Sequence, residues 1–227
     1  GKRMATSFIA QDIIAEHLLV NNAIVFLKNS PMRLKSGLIT PIYVDNRILS
    51  SFPEAWRDVI ETMASRIIEL QLNFDVIAGV EGAGIAHGAA LAYRLNVPFV
   101  TVRQQAKTYG NKSRIDGVDV KGQKVLIIED HLSTGISLLD AVKVLREVGA
   151  EVTDCFAITN FDMPETTRLF SKNHVKAHQM LSFEFIVNKA VQMGLIGPED
   201  LDDIHSWLDT PWSWAAQRGL LAHTTEN

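Results

Sequence analysis

Apolar and polar positions along this chain follow two periods. Residues 6–20, TSFIAQDIIAEHLLV, place apolar side chains at helical spacing. The stretch PEAWRDVIETMASRIIELQL, from Pro53, repeats that spacing more strongly and predicts a long amphipathic helix. Between them, residues 23–45 read as short strands broken by KNSPM and KSGLITP. From Phe74 onward, short apolar runs alternate with helical stretches. FDVIAGV predicts a strand, GIAHGAALAYRL a helix, and VPFVTV a strand followed by the polar loop RQQAKTYGNKSRIDGVD. KVLIIE predicts another strand, and GISLLDAVKVLREVG a helix that Gly149 ends. VTDCFAITN, PETTRLFSKN, VKAHQM and SFEFIVNKAVQMG then read as strand, helix, short strand and helix. Apolar strands separated by helices mean an α/β fold, a mostly parallel sheet flanked by helices on both faces. We expect a small N-terminal α+β unit over residues 1–52, the core over 53–195, and a helical C-terminal extension over 196–227. Ligands of such sheets sit at the carboxyl ends of the strands. The turns after Val80, Val102 and Glu129 are therefore where chemistry is expected.

Composition narrows the function classes. The 227 residues are 47% hydrophobic, enough for one compact domain or one domain with a small appendage. A net charge of −4 gives no footprint for nucleic acid. No apolar run approaches the roughly 20 residues that span a bilayer, and GKRMATSF has no apolar signal core. Cys155 is the sole cysteine, so neither an internal disulfide nor a thiolate metal cluster is expected. These features point to a cytoplasmic protein without a membrane or nucleic-acid partner.

The turn after Glu129 carries the most chemistry. Glu129 and Asp130 are followed by Ser133, Thr134, Gly135 and Ser137, and then by a helical pattern. A helix start offers unpaired N–H groups and the positive end of a dipole. The hydroxyls add donors and Gly135 allows close backbone approach, which makes a phosphate cradle. An ordinary N-cap needs one such residue, not three hydroxyls, a glycine and two acids. A ribose 5-phosphate satisfies the whole set, with phosphate on the amides and sugar hydroxyls on the carboxylates. Apolar strand, acid–acid, two residues, then S/T-T-G-x-S/T resembles the phosphoribosyl pyrophosphate (PRPP) signature of type I phosphoribosyltransferases. The resemblance implies that Glu129 and Asp130 meet the ribose and that Ser133, Thr134, Gly135 and Ser137 hold the 5-phosphate.

Three further segments extend the resemblance. GVEGAGIAHGAALA, after Val80, is similar to the family's pyrophosphate loop, which implies donors around Glu81, Gly82, Ala83 and Gly84. A glutamate beside pyrophosphate repels it unless it meets Mg²⁺ or points away. Taken alone, Gly82, Gly84 and Gly88 also resemble a dinucleotide fingerprint, with Arg103 placed for a 2′-phosphate, which implies an NADP-linked oxidoreductase. That alternative starts some 80 residues in, lacks the dehydrogenase tyrosine–lysine pair and leaves the Glu129–Asp130 turn unexplained. The loop VRQQAKTYGNKSRIDG carries Arg103, Lys107, Lys112 and Arg114, with Gly110 and Gly117 as hinges. It resembles the catalytic lid of orotate phosphoribosyltransferases, with Gln104 where lysine is usual and Tyr109 where histidine is usual. The resemblance implies that Arg103, Lys107 and Tyr109 act with Asp130 in catalysis, and that the 103–117 lid reaches the neighbouring site of a homodimer.

MRLKSGLITPIYVDNR resembles the segment that faces the base in the orotate enzymes, with Lys35, Tyr43 and Val44 toward orotate and Ser133 shared with it. An arginine that some members aim at the orotate carboxylate is absent, because CFAITN ends in Asn160 and Phe161 follows it. The implied activity is transfer of ribose 5-phosphate from PRPP to orotate, giving orotidine 5′-monophosphate and pyrophosphate. Mg²⁺ is expected on ligand oxygens and water, with no direct protein ligand. Another base, or a PRPP-binding regulator, is the nearest alternative. His174 and His178 have a spacing that does not converge on a metal in a strand. His87 and His131 flank the phosphate turns as packing residues, and Trp207, Trp212 and Trp214 read as packing anchors.

Overall fold

A computed structural model describes residues 2–110, 113–220 and 225–226. Helix α1 (Lys2–Val20) leads into strands β1 (Ile24–Phe26), β2 (Met32–Arg33), β3 (Ile39–Thr40) and β4 (Ile42–Val44). A 3-10 helix over Asn46–Ser51 precedes α2 (Pro53–Glu69), whose proline sits in the first turn, where its missing N–H costs nothing. The core follows as β5 (Val76–Val80), α3 (Ala83–Leu95), β6 (Phe99–Val102), β7 (Ile115–Asp116), β8 (Val125–Leu132) and α4 (Ile136–Glu147). It continues with β9 (Asp154–Asn160), α5 (Pro164–Lys172), β10 (Lys176–Ser182) and α6 (Phe183–Gln192). A short turn over Pro198–Asp200 introduces α7 (Leu201–Asp209), α8 (Trp214–Gln217) and β11 (Thr225–Glu226).

The central sheet has the order β10-β9-β8-β5-β6-β7, parallel throughout except for the β6–β7 pair. Alternate residues of its strands feed opposite cores. Ile77, Leu126, Ile128, Phe156 and Ile158 join the side chains of α2, α3 and α6. Val76, Ala78, Val125, Ile127, Cys155 and Ala157 join those of α4 and α5. Both parities must be apolar in a strand covered on both faces, which is why these runs show no alternation in the sequence. The N-terminal strands β1 and β4, and the separate β11-β2-β3 sheet, sit over the first of these cores. Leu18, Ile24, Leu38, Leu49, Trp207 and Trp214 belong to the same apolar cluster as Ile77 and Phe156. Trp207 is fully buried and donates its indole N–H to the Ile39 carbonyl at 2.8 Å, binding the extension to the N-terminal unit.

The structure departs from the expectations in four places. Strand β8 does not end at Glu129 but runs to Leu132, because β9 holds it extended through Glu129–Ala157, His131–Thr159 and Leu132–Asn160. The loop after Val102 contains β7, too short to leave a periodic signal. The extension is not wholly helical, since β11 pairs in parallel with β2. Trp212 is 50% exposed and anchors nothing, unlike Trp207 and Trp214. His174 lies in the turn before β10, and His178 Nε2 stands 2.7 Å from Asp154 Oδ1. No helix among the described residues is long and apolar enough to cross a membrane.

Candidate active site

Strand β8 outruns β5. Its pairing with β5 stops at Gly79–Ile128, whereas its pairing with β9 continues to Leu132. Glu129 and Asp130 therefore have a ladder on one side only, and a cavity of about 330 Å³ opens where β5 has already turned into α3. Glu129 Oε1 accepts from the Asp130 amide at 3.1 Å. A side chain at Gly84 would come within 3.5 Å of the same oxygen, so this carboxyl lies against the first turn of α3. Burial, and after it the Asp130 charge, pushes the Glu129 carboxyl well above the usual carboxylate range. His131 also lines the cavity, its ring 4.4 Å from that of Phe161. Burial pulls its imidazole down to about 4 and keeps it neutral. Fully buried Asn46 donates to the Asp130 carbonyl at 3.0 Å and to Thr159 Oγ1 at 2.9 Å, fastening the N-terminal unit to the acidic strand.

Two helix starts meet at this cavity, and neither is capped by a side chain. At α4, Gly135 takes the cap position with φ +77°, and no side chain accepts from the first amides. The contrast lies within the same molecule, where Ser182 Oγ accepts from the Phe185 amide and caps α6. Ser133 Oγ is buried and has no hydrogen-bond partner. The loop is held instead from behind, by Thr166 Oγ1 at 2.9 Å from the Ser133 carbonyl. At α3, Gly82 adopts φ +105°, ψ −132°, a conformation essentially closed to other residues, and exposes the following amides. The helix sits directly on β5, since a Cβ on Gly79 would collide with the Gly84 carbonyl oxygen. Unsatisfied amides and aligned dipoles make each such end an anion site. Glu81 does not aim its charge at these amides. Its Oε2 accepts from the Gln104 amide at 2.8 Å, and its carbonyl accepts from Gln104 Nε2 at 3.2 Å.

The loop between β6 and β7 carries its own counter-charge. Arg103 Nε and Lys107 Nζ lie 3.4 and 3.5 Å from the two carboxylate oxygens of Asp116. Arg103 also donates to the Ser113 carbonyl at 2.8 Å, and Arg114 donates to Asp140 at 2.6 Å. Tyr109 projects outward at 82% exposure. Lys112 lies outside the described residues.

The family described as "Phosphoribosyl transferase domain" matches residues 51–190. The orotate phosphoribosyltransferase of Coxiella burnetii is 39% identical over 201 residues, which cover 88% of this chain and 96% of that protein. That of Bacillus subtilis is 34% identical over 210 residues, 92% of this chain and 97% of that protein. The chain belongs to the orotate phosphoribosyltransferase family. Among solved structures, a UMP synthase of Leishmania donovani superposes with a TM-score of 0.76 at 27% identity, over 87% of this chain and 42% of that one. Family membership removes the NADP-linked oxidoreductase alternative, and the glycines after Val80 serve a phosphoribosyltransferase instead.

On that family's fold, the cavity gathers most of the residues singled out in the sequence. Glu81, Gly82 and Ala83 line it from the α3 side, and Ser133, Thr134, Gly135 and Ser137 from the α4 side. Glu129, Asp130 and Val44 complete it, with Gly84 just behind in the first turn of α3. Other residues stand apart. Lys35 lies on the exposed turn between β2 and β3, and Tyr43 donates to Asp45 at 3.3 Å. Arg103 lines an adjoining hollow with Gln104, Arg114 and Ser137. Lys107 and Tyr109 are on the exposed loop. Sequence reasoning passed over Arg47, which lines the cavity, and Asn46 and Thr166, which brace it. Nothing in the local pattern marks these three, because Asn46 and Arg47 follow a hairpin and Thr166 sits in the first turn of a helix, where polar residues are ordinary. The cavity offers hard carboxylate oxygens on Glu81, Glu129 and Asp130, but among the described residues no three metal-binding side chains converge into a cage. That donor set fits Mg²⁺, which keeps its waters and rides on polyphosphate oxygens.

Proposed function

We propose that this protein transfers ribose 5-phosphate from PRPP to orotate, forming orotidine 5′-monophosphate and pyrophosphate. The observation that carries this reading is the pair of uncapped helix starts facing one cavity across Glu129 and Asp130. PRPP has an anionic group at each end of a sugar, and this cavity has a helix start on either side of Glu129 and Asp130. The 5-phosphate takes the α4 amides with Ser133, Thr134, Gly135 and Ser137. Pyrophosphate takes the α3 amides after Gly82, and the ribose hydroxyls donate to Glu129 and Asp130 between them. As the C1–O bond breaks, pyrophosphate leaves with the bonding pair, and an orotate ring nitrogen bonds to C1 from the opposite face, giving up its N–H proton to water. Positive charge develops on the sugar, as in other glycosyl transfers, and the carboxylates favour it by proximity. Bound Mg²⁺ supplies charge neutralisation on the pyrophosphate, and Glu81, Glu129 and Asp130 are the residues on hand to meet its waters.

In this reading the β6–β7 loop is a lid. Closure brings Arg103, Lys107 and Tyr109 over the leaving group and excludes water. A homodimer, with each lid over its neighbour's cavity, accounts for the outward placement of Tyr109. The cytoplasm is the proposed setting, since a lone buried thiol asks for no oxidising compartment. The test is a single assay of purified protein with PRPP, Mg²⁺ and orotate, followed by orotate absorbance, with uracil, adenine and hypoxanthine in parallel. Orotate alone is expected to be consumed. Consumption of a different base reassigns the substrate, and PRPP binding without consumption of any base makes the protein a regulator.

A further inference from the structure

Orotate is a uracil ring that carries a carboxylate, and a protein that selects it over uracil must meet that charge. The helix starts serve the phosphates in that reading, and the acidic side chains lining the cavity, Glu81, Glu129 and Asp130, cannot pair with a carboxylate. Among the described residues lining the cavity, Arg47 is the only arginine or lysine. It lies three positions after Val44, on the 3-10 helix over Asn46–Ser51. That helix is not free to drift. Asn46, next to Arg47, is fully buried and hydrogen-bonded to Asp130 and Thr159. The guanidinium is 63% exposed and bonded by Nε to Asp45 Oδ1 at 2.7 Å. Its other face is unclaimed by any carboxylate except through the long-range field of Asp130.

The position after β9, the other place for such a cation, is closed. Phe161 there is buried, with ring centroids 4.4 Å from His131, 4.6 Å from Phe183 and 4.7 Å from Trp207. We propose that Arg47 is the specificity-determining residue for the base, pairing its guanidinium with the orotate carboxylate. This assignment rests on the proposed function above. The Arg47 Nε–H donates to the Asp45 carboxylate, which orients the guanidinium and leaves its two terminal nitrogens to pair with a second carboxylate. Asp45, largely buried, keeps its Tyr43 hydroxyl contact when Arg47 turns to the ligand.

The experiment compares wild type with Arg47→Ala and Arg47→Lys. It measures KM for orotate, KM for PRPP, and inhibition by uracil, which has the ring without the carboxylate. Arg47→Ala is expected to raise KM for orotate about 10- to 100-fold, the range of one charge-assisted hydrogen-bonded pair. KM for PRPP and the uracil inhibition constant should stay within about twofold, because neither ligand presents a carboxylate to Arg47. Arg47→Lys should recover only part of the loss, because a point charge replaces a two-pronged donor. Equal weakening of orotate and uracil, or an unchanged KM for orotate in Arg47→Ala, overturns the assignment while leaving the function intact. A wild type that consumes no orotate overturns the proposed function, and this assignment with it. Arg47 is largely exposed, so loss of the fold is not expected, and thermal unfolding of each variant checks it.

Discussion

Glu129, placed by the proposed function at the ribose, sets itself against stability. The fold buries a carboxyl beside Asp130 and supplies no cation for it, and the result is an acid that resists ionisation. The sign of the consequence follows from linkage. A group whose pKa is raised on folding favours the folded state below its ordinary value of 4.5, and that benefit is lost as pH rises through the folded value. Glu129→Gln removes the ionisation and keeps the shape. We expect the variant to melt a few degrees above wild type at neutral pH, with the gap closing toward pH 4. Turnover should fall about 10- to 100-fold, because the amide cannot offset charge on the sugar. Thermal melts across pH, paired with the orotate assay, check both halves. A lower melting point at neutral pH would falsify the strained-acid reading. The two acids were legible in the sequence because charge at the end of a buried strand has no packing use. Arg47 was not, because an arginine after a hairpin looks like any solvated side chain until the cavity beside it is seen.

At the scale of elements, the site is the difference in length between two neighbouring strands. β5 stops at Val80 and β8 continues to Leu132, so the acids protrude past the point where α3 begins. The apolar runs and glycine-bounded turns made the strand–helix alternation legible in advance, together with the turns after Val80 and Glu129 that line the cavity. The extra three residues of β8 were illegible because polar residues there are kept extended by β9, a tertiary ladder with no local signature. β7 and β11 were missed for a similar reason, being two residues each and defined only by their partners. The seat of α3 on β5 depends on Gly79. Gly79→Ala sets a methyl group against the Gly84 backbone, which cannot rotate aside. We expect a loss of about 1–3 kcal/mol in denaturant unfolding, together with weaker PRPP binding as the α3 amides shift. Gly88→Ala is the control. Its methyl would meet Phe99 Cε2 at 2.8 Å, a side chain able to give way, so stability should fall with PRPP affinity nearly unchanged.

At the scale of the whole molecule, the N-terminal unit, one face of the sheet and the C-terminal extension share one apolar cluster. The β6–β7 loop stays outside that cluster, and Asp116 at its far end, on β7, pairs with Arg103 and Lys107. If this loop is the proposed lid, the Asp116 pairing keeps Arg103 and Lys107 from repelling each other, and pyrophosphate competes with that one carboxylate on closure. Whether each lid serves its own cavity or its neighbour's is decided by mixing two inactive proteins. Lys107→Ala removes a lid charge and keeps the acids, whereas Asp130→Asn removes an acid and keeps the lid. If lids act across the proposed homodimer, random assortment makes half of the dimers mixed, and each mixed dimer has one complete site of its two. Co-expression should then restore about a quarter of wild-type turnover, well above either variant alone. If each lid closes over its own subunit, no combination rebuilds a site, and the mixture should average its two parents.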